Sequence, residues 1–242
     1  MLLAYLNATA RLLQNPAAPS PLYSTADLTT YINSARGQLA GEAECIRFMG
    51  SLSLTLGTRV YPFSAIVLTG GSAAGIQGVL NVRTAWYQVG NGQKWMRPRP
   101  FEWFSLYELN SPVPSSGAPQ TWAQFAQGAL GSIYVSPLPD GAYTLPLDCV
   151  CYPIPLVDDS TVEAIPYLWT DAVPYYAAYL ALMSAQTGAR TQEALGMFKL
   201  YSEFVSRARQ ASTPSVLSAQ YAQVPSPVRA NQLGIQPAQG GR

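Results

Sequence analysis

Apolar residues recur along this chain at two different periods, and the change of period divides it. In residues 1–14, Leu2, Leu3, Leu6, Ala10 and Leu13 fall at helical spacing, and Asn15, Pro16 and Pro19 end the run. A second helix is predicted after this proline-rich link. Ser24 or Thr25 caps it, Asp27 sits in its first turn, and Leu28, Ile32, Ala35, Leu39 and Ile46 run down one side. Gly37 and Gly41 weaken that helix or let another backbone approach it. From Gly50 the period becomes two. Leu52, Leu54 and Leu56 alternate with Ser and Thr, and residues 79–89 and 101–109 are rich in β-branched and aromatic side chains, which predicts strands. Asn91-Gly92 signals a hairpin into Lys94-Trp95-Met96, and Asp140-Gly141 a turn between strands at 131–135 and 143–150. Residues 121–130 read as a short helix capped by Thr121, with Trp122, Phe125, Ala126 and Leu130 on one side.

Helical spacing returns after Tyr152-Pro153-Ile154-Pro155. Pro166 opens a turn at 167–169, Asp171 is a cap, and Pro174 stands in the first turn, where its missing N–H is harmless. Residues 175–185 are apolar almost all round, so that helix is buried. Gly188 ends it, Thr191 with Glu193 begins another, and Leu195, Phe198, Tyr201, Val205 and Ala208 stripe one face as far as Arg209, completing an αα-hairpin. The order predicts an α+β fold. Helices from 1–49 and 156–210 form a bundle, an antiparallel β-rich domain at 50–155 is inserted in it, and 211–242 is an extended tail. Tyr31, Ile32, Ala35, Leu39, Tyr175, Tyr176, Tyr179, Phe198 and Tyr201 are the candidates for packing within the bundle or between subunits.

The tail has no acidic residue, and only Arg229 and Arg242 carry charge. Its apolar residues stand singly or in pairs, at Val216, Leu217, Tyr221, Val224, Val228, Leu233 and Ile235, among prolines, Gln, Ala and Ser. That is too little to build a core, and it suits an extended segment lying along a partner.

Composition sharpens this picture. The 242 residues contain no histidine, few charges and a formal net charge of +1. Such a chain is expected to bury much of its surface against partners. The balance argues against wrapping nucleic acid, although a ring can still present a local stripe of one sign. Without histidine, Ser-His-Asp and Cys-His nucleophiles are excluded. The close carboxylate pairs, Asp158 with Asp159 and Glu42 with Glu44, read as a turn before a helix and as exposed helix positions. Gly70-Gly71-Ser72-Ala73-Ala74-Gly75 lacks the Lys-Ser or Lys-Thr of a phosphate loop and reads as a flexible loop tip. Lys94 through Pro100 interleaves cations with Trp95, which suits either a hairpin rim or, with several chains converging, a clamp on nucleic acid. Cys45, Cys149 and Cys151 read as buried free thiols, and no metal or other cofactor is expected. The first residues lack a basic leader and no stretch is apolar enough for a membrane span, so an unexported chain is expected.

Residues 27–47, with Tyr31-Ile32-Asn33-Ser34-Ala35-Arg36 and Ala40-Gly41-Glu42, resemble the second helix of head-to-tail adaptor proteins from short-tailed bacteriophages. Asp171-Ala172-Val173-Pro174-Tyr175-Tyr176-Ala177-Ala178-Tyr179 and Met197-Phe198 with Tyr201 are similar to that family's C-terminal helical hairpin. The order of these motifs around a β-insertion also resembles the tail tubular adaptor of the T7-like group. The resemblance implies a non-enzymatic virion protein at the head–tail junction, assembled in the host cytoplasm as a ring of about twelve copies. It further implies a portal protein on one side, a tail nozzle protein on the other, and genomic DNA passing through without sequence-specific binding. In that family C-terminal extensions reach into crevices of the portal, so the apolar positions from Val216 to Ile235 become the expected portal anchors. The competing expectation is a β-rich binding module, such as a capsid decoration or carbohydrate-binding protein, with Trp86, Trp95, Trp103 and Trp122 as contact aromatics.

Overall fold

The computed structural model describes residues 1–15, 21–89, 92–110, 115–184 and 188–212. The first helix, α1, covers Leu2–Leu12. The second, α2, covers Thr25–Ala43 and starts at a capping box, in which the Ser24 side chain accepts from the Asp27 amide at 3.1 Å and the Asp27 carboxylate accepts from the Ser24 amide. Leu28, Ile32, Ala35 and Leu39 face inward as their spacing predicts. Ile46 is also buried, but it lies beyond the helix, because Glu44 adopts a left-handed conformation and ends it.

The chain then builds β1 (Arg47–Leu54), β2 (Val60–Pro62), β3 (Ile76–Val89), β4 (Gly92–Trp95), β5 (Arg97–Pro98), a helical turn α3 (Phe101–Phe104), β6 (Thr121–Phe125), β7 (Ser132–Ser136) and β8 (Tyr143–Pro153). Two four-stranded sheets result, in the orders β1-β8-β3-β4 and β2-β7-β6-β5. All pairs are antiparallel except the two-residue β5–β6 pair. Leu52 stands opposite Leu145 in the register, and both are fully buried. Two helices follow, α4 (Ala172–Ser184) and α5 (Gly188–Ser212), which pack together and, with α1, against α2. The chain is therefore an α+β protein. One continuous apolar core runs from Ile32, Leu39, Ala177 and Tyr201 of the helices to Leu52, Val82, Ile133, Leu147 and Cys149 of the sheets.

Several segments depart from what their sequence predicts. Residues 121–130 are not a helix. Thr121–Phe125 is a strand paired with β7, and only Gly128–Leu130 forms a 3₁₀ turn. Cross-strand burial of Trp122 and Ala123 outweighs the local helical pattern. Conversely, 101–109 is helical: Pro100 provides the N-cap of α3, and Ser105–Leu109 continues as a π-helix. Leu56 lies past the end of β1 and is exposed. Val89 pairs with Gly92, and Asn91, with the predicted turn, lies outside the described residues. Gly188 opens α5 rather than ending α4, and α5 continues to Ser212, so Ala211 and Ser212 are helical rather than part of the tail. The seven apolar tail positions from Val216 to Ile235 lie outside the described residues.

No α-helix follows Asp158 and Asp159 before α4, where the Tyr167–Trp169 stretch is a single 3₁₀ turn; the segment is tied down by polar groups instead. The Arg36 guanidinium, with no exposed surface, donates from Nε and Nη2 to the Glu163 carboxylate at 3.0 and 2.8 Å, and from Nη1 to the Ile154 carbonyl at 2.7 Å. Asn33, one turn earlier, donates to the Leu156 carbonyl and accepts from the Leu156 amide at 3.0 and 2.7 Å. Gly75 closes the underside of this segment. It adopts φ +73°, its carbonyl accepts from the Ile154 amide at 2.8 Å, and a Cβ placed there would lie 2.4 Å from the Val162 carbonyl oxygen. The glycine-rich stretch is thus a packed turn around a Ser72–Ala74 3₁₀ helix, not a free loop tip.

Two substitutions test this arrangement. Arg36→Ala leaves the Glu163 carboxylate buried without its counter-charge, and is expected to lower unfolding stability by about 3–5 kcal/mol, read as a shift of the urea midpoint. Gly75→Ala combines left-handed strain with a clash against backbone, and its expected loss is about 1–3 kcal/mol by the same measurement.

Candidate functional site

The predicted packing residues separate into two sets. Ile32, Ala35 and Leu39 of α2 have no exposed surface, and Tyr201 of α5 is buried with its hydroxyl donating to Glu42 Oε2 at 3.0 Å. Burial and the Glu42 charge together push the Tyr201 phenol well above its ordinary range. These four belong to the interior of a single chain. Tyr31, Tyr175, Tyr176 and Tyr179 are half-buried, and Phe198 is exposed. Tyr175 stacks on Phe204 at 5.9 Å.

Three of the outward set, Tyr176, Tyr179 and Phe198, cluster together. Tyr176 lies 4.5 Å from Tyr201 between ring centroids, and Phe198 lies 5.1 Å from Tyr179 and 6.5 Å from Tyr176. Helical spacing continues this row with Met183 on α4 and Leu195 on α5. Leu195 is 53% exposed, Met183 45% and Phe198 41%. Leu195 therefore does not share the inward stripe its spacing predicts. The inward line of α5 is Ala194, Tyr201 and Ala208, whose small members let the helix lie close to its neighbours. The α4–α5 hairpin consequently presents an apolar row, rich in aromatic rings, to solvent.

Of the four tryptophans proposed as contact aromatics, Trp86 and Trp122 are buried and Trp103 half-buried, which leaves Trp95 as the one that is exposed. Trp95 packs on Trp86 at 4.9 Å and 44° between planes. Lys94 reaches over the Tyr87 ring, and the Arg99 guanidinium lies 5.1 Å from the Trp103 centroid.

The carboxylate pairs have structural partners. Asp158 accepts from the amides and hydroxyls of Ser160 and Thr161, which holds its carboxyl below the usual carboxylate range. Asp159 pairs with the Met1 ammonium. Glu42 and Glu44 are half-buried rather than exposed: Glu42 also accepts from Gln38, and Glu44 lies 3.5 Å from Arg83. No group of three potential metal ligands occurs among the described residues, and no described helix is long and apolar enough to cross a membrane. The polar clamp of Asn33, Arg36 and Glu163 is the feature that composition and spacing miss. Arg36 lies on the buried side of α2 together with Ala35 and Leu39.

All three cysteines are free and buried. Burial raises the Cys45 thiol from 9.0 to about 11, and the Cys149 and Cys151 thiols to about 12. Cys149 and Cys151, with no exposed surface, are expected to resist alkylation in the native chain at pH 8 and to react fully in denaturant, as mass spectrometry would show. The native state holds these protons more tightly than the unfolded chain. Their contribution to stability is therefore complete below pH 9 and lost as pH climbs toward 12, measurable as a falling urea midpoint over that window.

No protein-family model matches the chain, and no curated protein matches it in sequence.

Proposed function

We propose that this chain is a structural ring adaptor of a short-tailed bacteriophage virion, joining the portal protein to the tail nozzle protein and leaving a central passage for genomic DNA. The observation that carries the proposal is the apolar row of Tyr176, Tyr179, Met183, Leu195 and Phe198 on the α4–α5 hairpin. Rings of this kind, with aliphatic neighbours and no charge among them, are the composition of a protein interface core. They also fall in the helical hairpin whose sequence resembles the adaptor family. In this reading a neighbouring subunit covers the row, and the segment after Ser212 is the portal anchor. About twelve weak anchors acting together then hold where one would not. The role is mechanical, with no catalytic chemistry assigned. The binding-module alternative has less support, because Trp86 and Trp122 are unavailable for contact.

Negative-stain imaging and mass determination of the purified chain, alone and with the portal protein, test the proposal. Rings are expected, either free or on the portal. Leu195→Asp with Phe198→Asp is expected to abolish them while the circular dichroism spectrum stays native, since both side chains are already exposed. Removal of residues 213–242 is expected to leave a folded chain that no longer joins the portal. A monomer that ignores the portal at assembly concentrations overturns the reading.

A further inference from the structure

The cationic segment 94–99 occupies an unusual place in the fold. β4 is the outer strand of one sheet and β5 the outer strand of the other, so the chain between them passes from edge to edge. Met96 anchors the crossing. Its side chain is buried, and its amide donates to the Ala85 carbonyl at 2.9 Å. Around that anchor Lys94, Trp95, Arg97, Pro98 and Arg99 are all exposed. Among the described residues no carboxylate pairs with Lys94, Arg97 or Arg99. The nearest carboxylates in sequence are Glu102 and Glu108 of the following helical stretch.

Planar groups flank the crossing on both sheets. Trp95 is 60% exposed with Trp86 packed on one side. Arg99, Trp103 and Tyr107 form a ladder at four-residue spacing, with 5.1 Å from guanidinium to indole and 5.7 Å from indole to phenol. Tyr107 is 66% exposed and sits in the π-helical stretch Ser105–Leu109, a geometry that recurs at functional sites. Unpaired cations beside open aromatic faces match a polyanion that also carries stacking rings.

We infer that this crossing binds single-stranded nucleic acid, with Arg97 and Arg99 on phosphates and a base stacked on the open side of Trp95; Lys94, next to Trp95 in β4, faces the other side of the sheet, over Tyr87. The inference does not rest on the ring reading: it requires neither portal nor oligomer. It adds a sequence-independent contact that a simple passage for DNA lacks.

The test is titration of the full-length chain with a fluorescently labelled oligothymidylate, read by anisotropy and by tryptophan emission. Binding with quenched emission is expected, and a log–log salt slope of about −1.4, as two phosphate contacts on a single strand give. Arg97→Gln with Arg99→Gln is expected to weaken binding at least tenfold at low salt. Trp95→Ala should weaken it by about fivefold or more, as loss of one stacked base does, and Trp95→Phe should restore most of that. Equal affinity for duplex DNA of the same length without quenching overturns the inference, as does unchanged affinity in the Arg97/Arg99 variant while its thermal midpoint matches the parent. Binding to anionic phosphatidylglycerol vesicles but not to the oligonucleotide also overturns it, and assigns the edge to a lipid surface.

Discussion

The buried pair of Arg36 and Glu163 is the constraint on which the arrangement of this molecule depends. A guanidinium without exposed surface is costly unless its donors are used, and here Nε, Nη1 and Nη2 all are, on a carboxylate and a backbone carbonyl. Because the partners lie 127 residues apart, the pair fixes where the return from β8 to α4 passes. Asn33 adds two hydrogen bonds to Leu156, and the Ile154 amide adds one to Gly75. The second helix, the segment leaving β8 and the glycine turn thereby share one network. An apolar core alone tolerates sliding; directional bonds to named carbonyls do not.

How much of this was legible in the chain depended on how local the cause was. The N-cap at Ser24 with Asp27 in the first turn and the inward face of α2 from Leu28 to Leu39 follow from residues a few positions apart, and they are read correctly, whereas α4, expected to be buried all round, leaves Met183 exposed and Tyr175, Tyr176 and Tyr179 half-buried. Residues 101–109 and 121–130 are exchanged in type, because aromatic content suits a strand and a half-buried helix equally well. For Phe101–Phe104 the cue is local, Pro100 at the N-cap, and for Thr121–Phe125 the deciding fact is nonlocal, its pairing with β7. The clamp was invisible for the same reason. Nothing near Arg36 announces a carboxylate that arrives much later, and Glu163 reads as one more acidic residue in a turn.

The two candidate surfaces follow different physical logics. On the α4–α5 hairpin, rings and aliphatic side chains gather in one row, and burial against similar chemistry is what stabilises such a surface. On the sheet edges, cations stand apart from carboxylates and beside aromatic faces, and the exposed strand edges there avoid pairing with further strands partly through that charge. One surface suits a protein neighbour and the other a polyanion. They occupy different layers of the fold, so the two can be engaged at the same time without competing for residues.

The end of α5 has a mechanical meaning. The Ser212 hydroxyl donates to the Ala43 carbonyl at 2.6 Å, and its own carbonyl accepts from Arg83, which also faces Glu44 at the left-handed end of α2. The last helical residue before the C-terminal segment is therefore fastened to the joint where the helical layer turns into β1, with β3 alongside. A pull on that segment does not peel a free helix from the surface. It loads the joint between the two layers, so tension applied at one end of the chain is felt by the helices and the sheets together.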